Sequence, residues 1–339
     1  MKVGIIGLGH GQRVLFESFK LSNIKILGVA SKDQKKAEIF SKKNNIIKKY
    51  KNWKEIIKDD EIDIIAIAVP AVHQIKIIRE CIRYNKIIFS EKPLGTNIKS
   101  IKSIINELEF YKRNIIIDYI FCEHNAFKKF KSLIPKKSKF MSGHVDVIFN
   151  TQSYAMKNKL INWKLKPSLG GGLINLYLPH IFDYLIYFFG QIFSIKIIKK
   201  NKNNFSTKLN CDIKFESGIT ANIKIEANNP NQEHTIRYSN EKYELILQNK
   251  GKDYTKNFIL YLITIIKNKR LRKIIKFNND IKKFKKDSRI LLSSKLINKL
   301  KKPMSRKNHL ESIKRYFYVE IVLNTARLSL NLNKEMKIN

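Results

Sequence analysis

The chain has 339 residues, too many for one typical hydrophobic core and enough for two domains of ordinary size. A formal net charge of +39 would by itself point to nucleic acid or an acidic membrane surface. Lysine, however, outnumbers arginine several-fold and comes with heavy isoleucine and asparagine, the mark of an AT-rich coding sequence, whereas a phosphate-reading surface favours the planar fork of arginine.

The N-terminus, MKVGIIGLGHG, opens on a short apolar run ending in glycines and lacks the basic and long apolar regions of a signal peptide. Up to about residue 120, short β-branched runs alternate with longer mixed segments. VGIIGL, IKILGVA, DIIAIAV, KIIFS and NIIIDYI read as strands, and the segments starting near Gln12, Asp33, Trp53, Val72 and Asn97 read as helices. Continuous apolar runs such as Ile64 to Val69 suit strands covered on both faces, so the expected fold class is α/β with a doubly wound parallel sheet.

The first turn, GLGHGQRV, places Gly7 and Gly9 between a strand and a helix. Gly7 permits a tight turn, Gly9 lets the backbone approach a pyrophosphate, and the helix N-terminus holds that group with free amides and its dipole. The third glycine of G-x-G-x-x-G would fall at Gln12, and Gly11 is one place early. The strand-turn-helix context still indicates a dinucleotide site. The second strand ends VASKD, where folds preferring NAD carry an acid for the ribose hydroxyls. Ser31 and Lys32 instead offer a hydroxyl and an ammonium to a 2′-phosphate, so NADP is expected, with NAD as the alternative and Asp33 as a possible ribose partner. KIIFS runs into EKPLG, which brings Glu91, Lys92 and Pro93 beyond the carboxyl end of a strand, where ligands sit in such sheets. A partly buried lysine beside a cationic nicotinamide loses proton affinity and suits proton exchange with a substrate hydroxyl. The plain alternative is a loop lysine before a turn proline.

Residues 170 to 190 read GGGLINLYLPHIFDYLIYFFG, and from Leu173 to Phe193 the chain is apolar enough to resemble a membrane span, since about 20 such residues can cross a bilayer. An aspartate at mid-span costs roughly 2.5 to 3.5 kcal/mol, and Asn175, Pro179 and His180 add to that, so a buried helix is expected. On it, Asp183 and Tyr184 share a face with His180 and either could orient the ring. KLNCDIKF, ITANIKIEA and YELILQ read as strands of a second domain. The lysine-rich run from Ile265 to Arg289 reads as a solvated helix or loop face, and HLESIKRYFYVEIVLNTARLS reads as a packing helix that closes its domain or returns to the first one. Cys81, Cys122 and Cys211 lie far apart, which argues against a disulfide framework or a metal site and for a cytoplasmic setting. No repeat or low-complexity linker is evident.

Together these pieces resemble the Gfo/Idh/MocA family of NAD(P)-dependent oxidoreductases. The resemblance rests on GLGHGQRV at 7 to 14, AVPAVHQ at 68 to 74, EKPLG at 91 to 95, DYIFCEHNAF at 118 to 127 and GGGLINLYLPHIFD at 170 to 183, and covers roughly residues 1 to 195. It implies a Rossmann dinucleotide-binding domain over 1–120 and, over 121–339, a C-terminal α/β domain whose large, mostly antiparallel sheet binds substrate and makes a homo-oligomer. Hydride transfer between nicotinamide and a hydroxyl-bearing carbon of a sugar, sugar derivative or polyol follows from the same resemblance. It makes Lys92 and His180 the catalytic acid–base pair and Lys92-Pro93 a cis bond. The cofactor set would be Gly7, Gly9, His10, Gly11, Gln12, Arg13, Ser31, Lys32, Val69, Pro70, Gln74, Glu91, Lys92 and Pro93, and the substrate set Lys92, Glu123, Trp163, Asn175 and His180. Many members carry an aspartate one helical turn before the histidine, where this chain has Leu176, and a basic residue where it has Cys122. That departure raises a second possibility, a cofactor-binding member without chemistry that acts as a sensor or structural partner. Neither a specific nucleic-acid partner nor a membrane span is expected.

Overall fold

The computed structural model describes residues 1–135, 142–152, 162–199, 207–266 and 269–338. These form two compact units: the first comprises Met1–Ile120, Ser168–Gly170 and Arg289–Glu320, and the second Phe121–Pro167, Gly171–Ser288 and Ile321–Asn339.

The first unit is built on strands β1 (Lys2–Ile6), β2 (Lys25–Ala30), β3 (Lys48–Tyr50), β4 (Ile64–Ile67), β5 (Ile87–Ser90) and β6 (Ile115–Ile117). They pair in parallel in the order β3-β2-β1-β4-β5-β6, the doubly wound arrangement expected. All residues of β4, β5 and β6 are buried, which is why those strands read as unbroken apolar runs. The crossovers carry α1 (Phe16–Leu21), which continues a wide π turn at Gly11–Leu15, then α2 (Gln34–Asn44), α3 (Trp53–Lys58), α4 (Ala71–Arg83) and α5 (Ile98–Phe110). Side chains of Asp33, Asn52 and Asn97 cap α2, α3 and α5 by accepting from first-turn amides. The edge strand β3 escapes sequence reading because Lys48-Lys49-Tyr50 is polar and short; Asp59 holds it by accepting from Lys48 Nζ at 2.7 Å and from the Tyr50 hydroxyl.

In the second unit α6 (Asn125–Leu133) precedes β7 (His144–Gln152), and α7 (Gly172–Phe189) precedes β8 (Ile192–Lys199). The chain then runs through β9 (Lys208–Phe215), β10 (Thr220–Glu226), β11 (Asn228–Ser239), β12 (Tyr243–Asn249), β13 (Ile259–Ile266) and β14 (Lys269–Ile275). With β15 (Met336–Lys337) the described strands form one nine-stranded sheet, β14-β13-β12-β11-β7-β10-β9-β8-β15, antiparallel except for the β7–β10 pairing. The expected large, mostly antiparallel sheet is therefore present. One expectation is corrected: the run after Ile265 is not a helix face, because Lys269–Ile275 pairs with β13 as the exposed edge strand of this sheet. Residues 267–268 of that run lie outside the described residues. Helices α8 (Ser288–Lys299) and α9 (Arg306–Leu332) lie between β14 and β15, and the boundary between units falls within α9 at Glu320/Ile321. Among the described residues no helix is long and apolar enough to cross a membrane, and the apolar α7 is a core helix.

Around α7 the core of the second unit is aromatic. Tyr184 and Phe188 meet Phe127, and Phe121, Phe149 and Phe258 surround the fully buried His234. The Tyr184 hydroxyl lies 3.2 Å from His234 Nε2, and burial pushes the pKa of that imidazole down to about 3. An unfolded histidine titrates near 6.5, so below that pH the unfolded chain takes a proton that the folded state refuses. Stability therefore falls as pH drops from about 6.5 toward 3, with a slope of up to about 1.4 kcal/mol per pH unit from this residue. Urea midpoints from pH 7 to 4 are expected to fall less in His234→Gln than in the parent; parallel curves would show that His234 does not titrate on unfolding.

Candidate functional site

The glycine turn of the first unit starts at the carboxyl end of β1. Gly7 adopts φ +95° and donates its N–H to Ala30 O at 2.9 Å, which binds the turn to the end of β2. A Cβ on Gly7 would meet the Ala68 carbonyl and lie 2.8 Å from its carbon, and one on Gly11 would lie 2.9 Å from Ile5 Cγ2. Gly9 differs, for an added Cβ would point into open space. No side chain caps the helical segment that begins at Gly11, and Arg13 Nε donates back to Gly9 O at 3.2 Å. Gly7 and Gly11 are thus fixed by packing, while Gly9 and the uncapped helix start leave a cradle of backbone amides. That cradle suits a pyrophosphate.

At the end of β2, Ser31 Oγ accepts from the Asp33 amide at 3.2 Å, and Asp33 Oδ1 accepts from the Lys36 amide at 3.0 Å as the cap of α2. Asp33 is thereby committed to the helix, leaving Ser31 and the exposed Lys32 at the strand end. The charge of Lys32, after burial and Lys76, holds the His73 imidazole below its usual range. Gln74, in the cofactor set, is a buried strut: its Nε2 donates to Val69 O at 3.2 Å and its Oε1 accepts from Ser90 Oγ at 3.0 Å.

The EKP segment follows β5. Glu91 donates its N–H to Ile67 O at 2.9 Å, the Lys92-Pro93 peptide is cis, and Leu94 donates its N–H to the fully buried Glu320 carboxylate at 2.6 Å. Lys92 is half-buried between these anchors. Sequence reasoning named His10 and Glu91 but neither their pairing nor Asp118. Glu91 Oε1 lies 2.8 Å from His10 Nε2, and Asp118, directly after β6, lies 3.9 Å from the same nitrogen. Asp118 is buried and accepts from Ser293 Oγ, at 3.0 Å to Oδ1 and 3.1 Å to Oδ2. Burial first, and then the charge of Glu91, push its carboxyl well above the usual range. Only the position of Asp118, at a strand's carboxyl end, could have signalled it.

The second unit carries the substrate set apart from Lys92. His180, half-buried in α7, meets Phe121 edge-on with centroids 5.4 Å apart. Of its two expected orienters, Tyr184 spends its hydroxyl on His234, and Asp183 accepts from Cys122 Sγ at 3.2 Å. Asn175 is buried and structural in its contacts: Nδ2 donates to Gly171 O at 2.7 Å, and Oδ1 accepts from Arg327 Nε and Nη2 at 2.9 and 2.8 Å. This arginine from α9 ties the start of α7 to the glycine loop, where a Cβ on Gly171 would lie 2.5 Å from the Lys164 carbonyl beside Trp163. Glu123 is buried and pairs with Lys128 Nζ at 3.2 Å, and Leu176 is half-buried.

Residues 1–119 match the family model described as "Oxidoreductase family, NAD-binding Rossmann fold". An uncharacterized oxidoreductase of Synechocystis sp. is 24% identical over 196 residues, which are 58% of this chain and 53% of that protein. The trans-1,2-dihydrobenzene-1,2-diol dehydrogenase of Xenopus tropicalis is 26% identical over 152 residues, 44% of either chain. Matches to these two relatives thus span about half of their lengths. Among solved structures, a levoglucosan dehydrogenase in complex with NADH and L-sorbose superposes with a TM-score of 0.81 over 100% of this chain and 99% of its own, at 13% identity, and shares the fold.

Proposed function

The chain belongs to the Gfo/Idh/MocA family of oxidoreductases, and on that premise we propose that it is an NAD(P)-dependent dehydrogenase or reductase acting on a hydroxyl or carbonyl carbon of a sugar, sugar derivative or polyol. One observation carries the reading: the half-buried Lys92 follows β5 on the same carboxyl edge of the sheet as the uncapped turn in which Gly9 leaves open space. When bound, the nicotinamide supplies the hydride acceptor or donor at its C4. Lys92 Nζ removes or returns the hydroxyl proton, and the His180 imidazole, a side-chain type able both to give and to take a proton, is the second member of the acid–base pair. The diol acted on by the amphibian relative and the levoglucosan of the structural neighbour support a substrate of the CH–OH class.

NADP is the preferred cofactor in this reading, because the carboxylate of Asp33 is used in capping α2 and Lys32 is exposed at the strand end. Lys32→Ala is expected to raise the Kd for NADPH about tenfold, the loss of one charge-assisted hydrogen bond, with the Kd for NADH unchanged. Equal effects on both cofactors, read by fluorescence titration, would remove Lys32 from the 2′-phosphate. A homo-oligomer through the large sheet fits the exposed Ile259, Ile266, Leu271 and Ile274 of β13 and β14. Light scattering tests that point.

The decisive experiment incubates the purified protein with NADP or NAD and a panel of sugars, sugar nucleotides and polyols, following the absorbance of reduced nicotinamide. Turnover of at least one compound is expected. Tight NADPH binding with no turnover on any of them would favour the sensor or structural role that Leu176 and Cys122 raise.

A further inference from the structure

We propose that Glu91 and Asp118 share a single proton, exchanged with solvent through His10, and that this triad sets the net charge beside Lys92. The inference rests on the reading of Lys92 as the proton-transfer group.

Three strand ends of the first unit converge to build the triad: His10 stands in the turn after β1, Glu91 follows β5 and Asp118 follows β6. One polar atom from each lies within 4.8 Å of the others. His10 Nε2 is 2.8 Å from Glu91 Oε1 and 3.9 Å from Asp118 Oδ2, and a carboxyl oxygen of Glu91 lies within 4.8 Å of one of Asp118. Two ionised carboxylates are acceptors only, so the pair can hydrogen-bond only when one of them carries a proton. Like charges this close cannot both ionise freely. Burial acts in the same direction, because Asp118 has 3% of its side chain exposed.

Exposure rises outward, to 15% at Glu91 and 23% at His10. That gradient gives the proton a route: Asp118 holds it in the interior with Ser293 donating to its oxygens, Glu91 passes it, and His10 meets water. The charged groups acting on Asp118 are Glu91 and Lys92, with His10 as the nearby titratable ring. With one proton on the pair, a single negative charge faces the Lys92 ammonium. Losing that proton at higher pH adds a second charge and strengthens the hold on the ammonium. Only protons pass among these groups and none of them is oxidised or reduced, so the redox change lies wholly between substrate and nicotinamide.

The test begins with the protein free of substrate. Infrared spectra at neutral pH are expected to show a protonated carboxylic acid band that disappears in both Asp118→Asn and Glu91→Gln, since either change leaves one ionised carboxylate with an amide donor. Absence of that band from the parent, its survival in both variants, or a stoichiometric divalent cation in place of the proton would overturn the proposal. The kinetic arm uses His10→Ala, expected to lower kcat with KM unchanged and to recover when imidazole is added. A loss that imidazole leaves untouched would remove His10 from the route. The infrared readout stands apart from activity: the expected bands in a protein that turns over no substrate would sink the dehydrogenase reading and leave proton sharing supported.

Discussion

Lys92→Ala is expected to lower kcat/KM by about 10²- to 10⁴-fold, the usual contribution of a positioned acid–base group, while the Kd for NADPH stays within a few-fold of the parent. The reason is positional. Pro93 is buried, Leu94 donates its N–H to Glu320, and the Glu91 N–H is bound to Ile67 O, so the backbone on both sides of Lys92 is held independently of its side chain. Truncating the side chain therefore removes the ammonium and leaves the cradle at Gly7–Gly11 in place. Lys92→Arg should recover little, since a guanidinium does not release its proton in the working range. A Lys92→Ala protein that binds cofactor and keeps full turnover would end the assignment.

The second large effect separates folding from binding within three residues. Gly7→Ala places a β-carbon against the Ala68 backbone at φ +95°, costing about 1–2 kcal/mol for the left-handed backbone and about 1–3 kcal/mol for the overlap. Its melting temperature should fall by several degrees, the effect of ~1 kcal/mol or more in a chain of this size. Gly9→Ala meets nothing within 4 Å and should melt with the parent, yet it fills the space where the backbone must approach a pyrophosphate. Loss of NADPH binding in Gly9→Ala at unchanged melting temperature is the expected signature. Unchanged binding would remove the turn from the cofactor site.

How much was legible in the sequence follows from which forces are local. Strands β4, β5 and β6 could be read because burial on both faces demands unbroken apolar runs, and α7 because its polar interruptions forbid a bilayer. β14 was misread, since KRLRKII at a sheet edge exposes nearly every residue and loses the alternation that marks a strand. The places of the glycine turn and of EKP, directly after β1 and β5, were legible through motif and strand pattern. Their supports were not: Glu320 lies on α9, Ser293 on α8, and the meeting of Asp118 with His10 and Glu91 depends on where β1, β5 and β6 end. Residues so far apart in the chain carry no joint pattern. The same holds for Asp183, whose partner Cys122 precedes it by 61 residues that include α6 and β7.

The discontinuity of the first unit has a bearing on how the protein is made. Asn114 donates to Leu300 O and Lys302 O, Asp118 accepts from Ser293, and Leu94 needs Glu320, so the strand ends that carry the site obtain their partners from residues 289–320. On a ribosome the six-stranded sheet is complete by residue 117, yet these partners emerge only after a further stretch that takes roughly 10–40 s to synthesise at about 5–20 residues per second. A nascent chain stalled before residue 289 would thus expose a sheet with its working edge unbuttressed, and the nucleotide-binding half acquires its final form almost last.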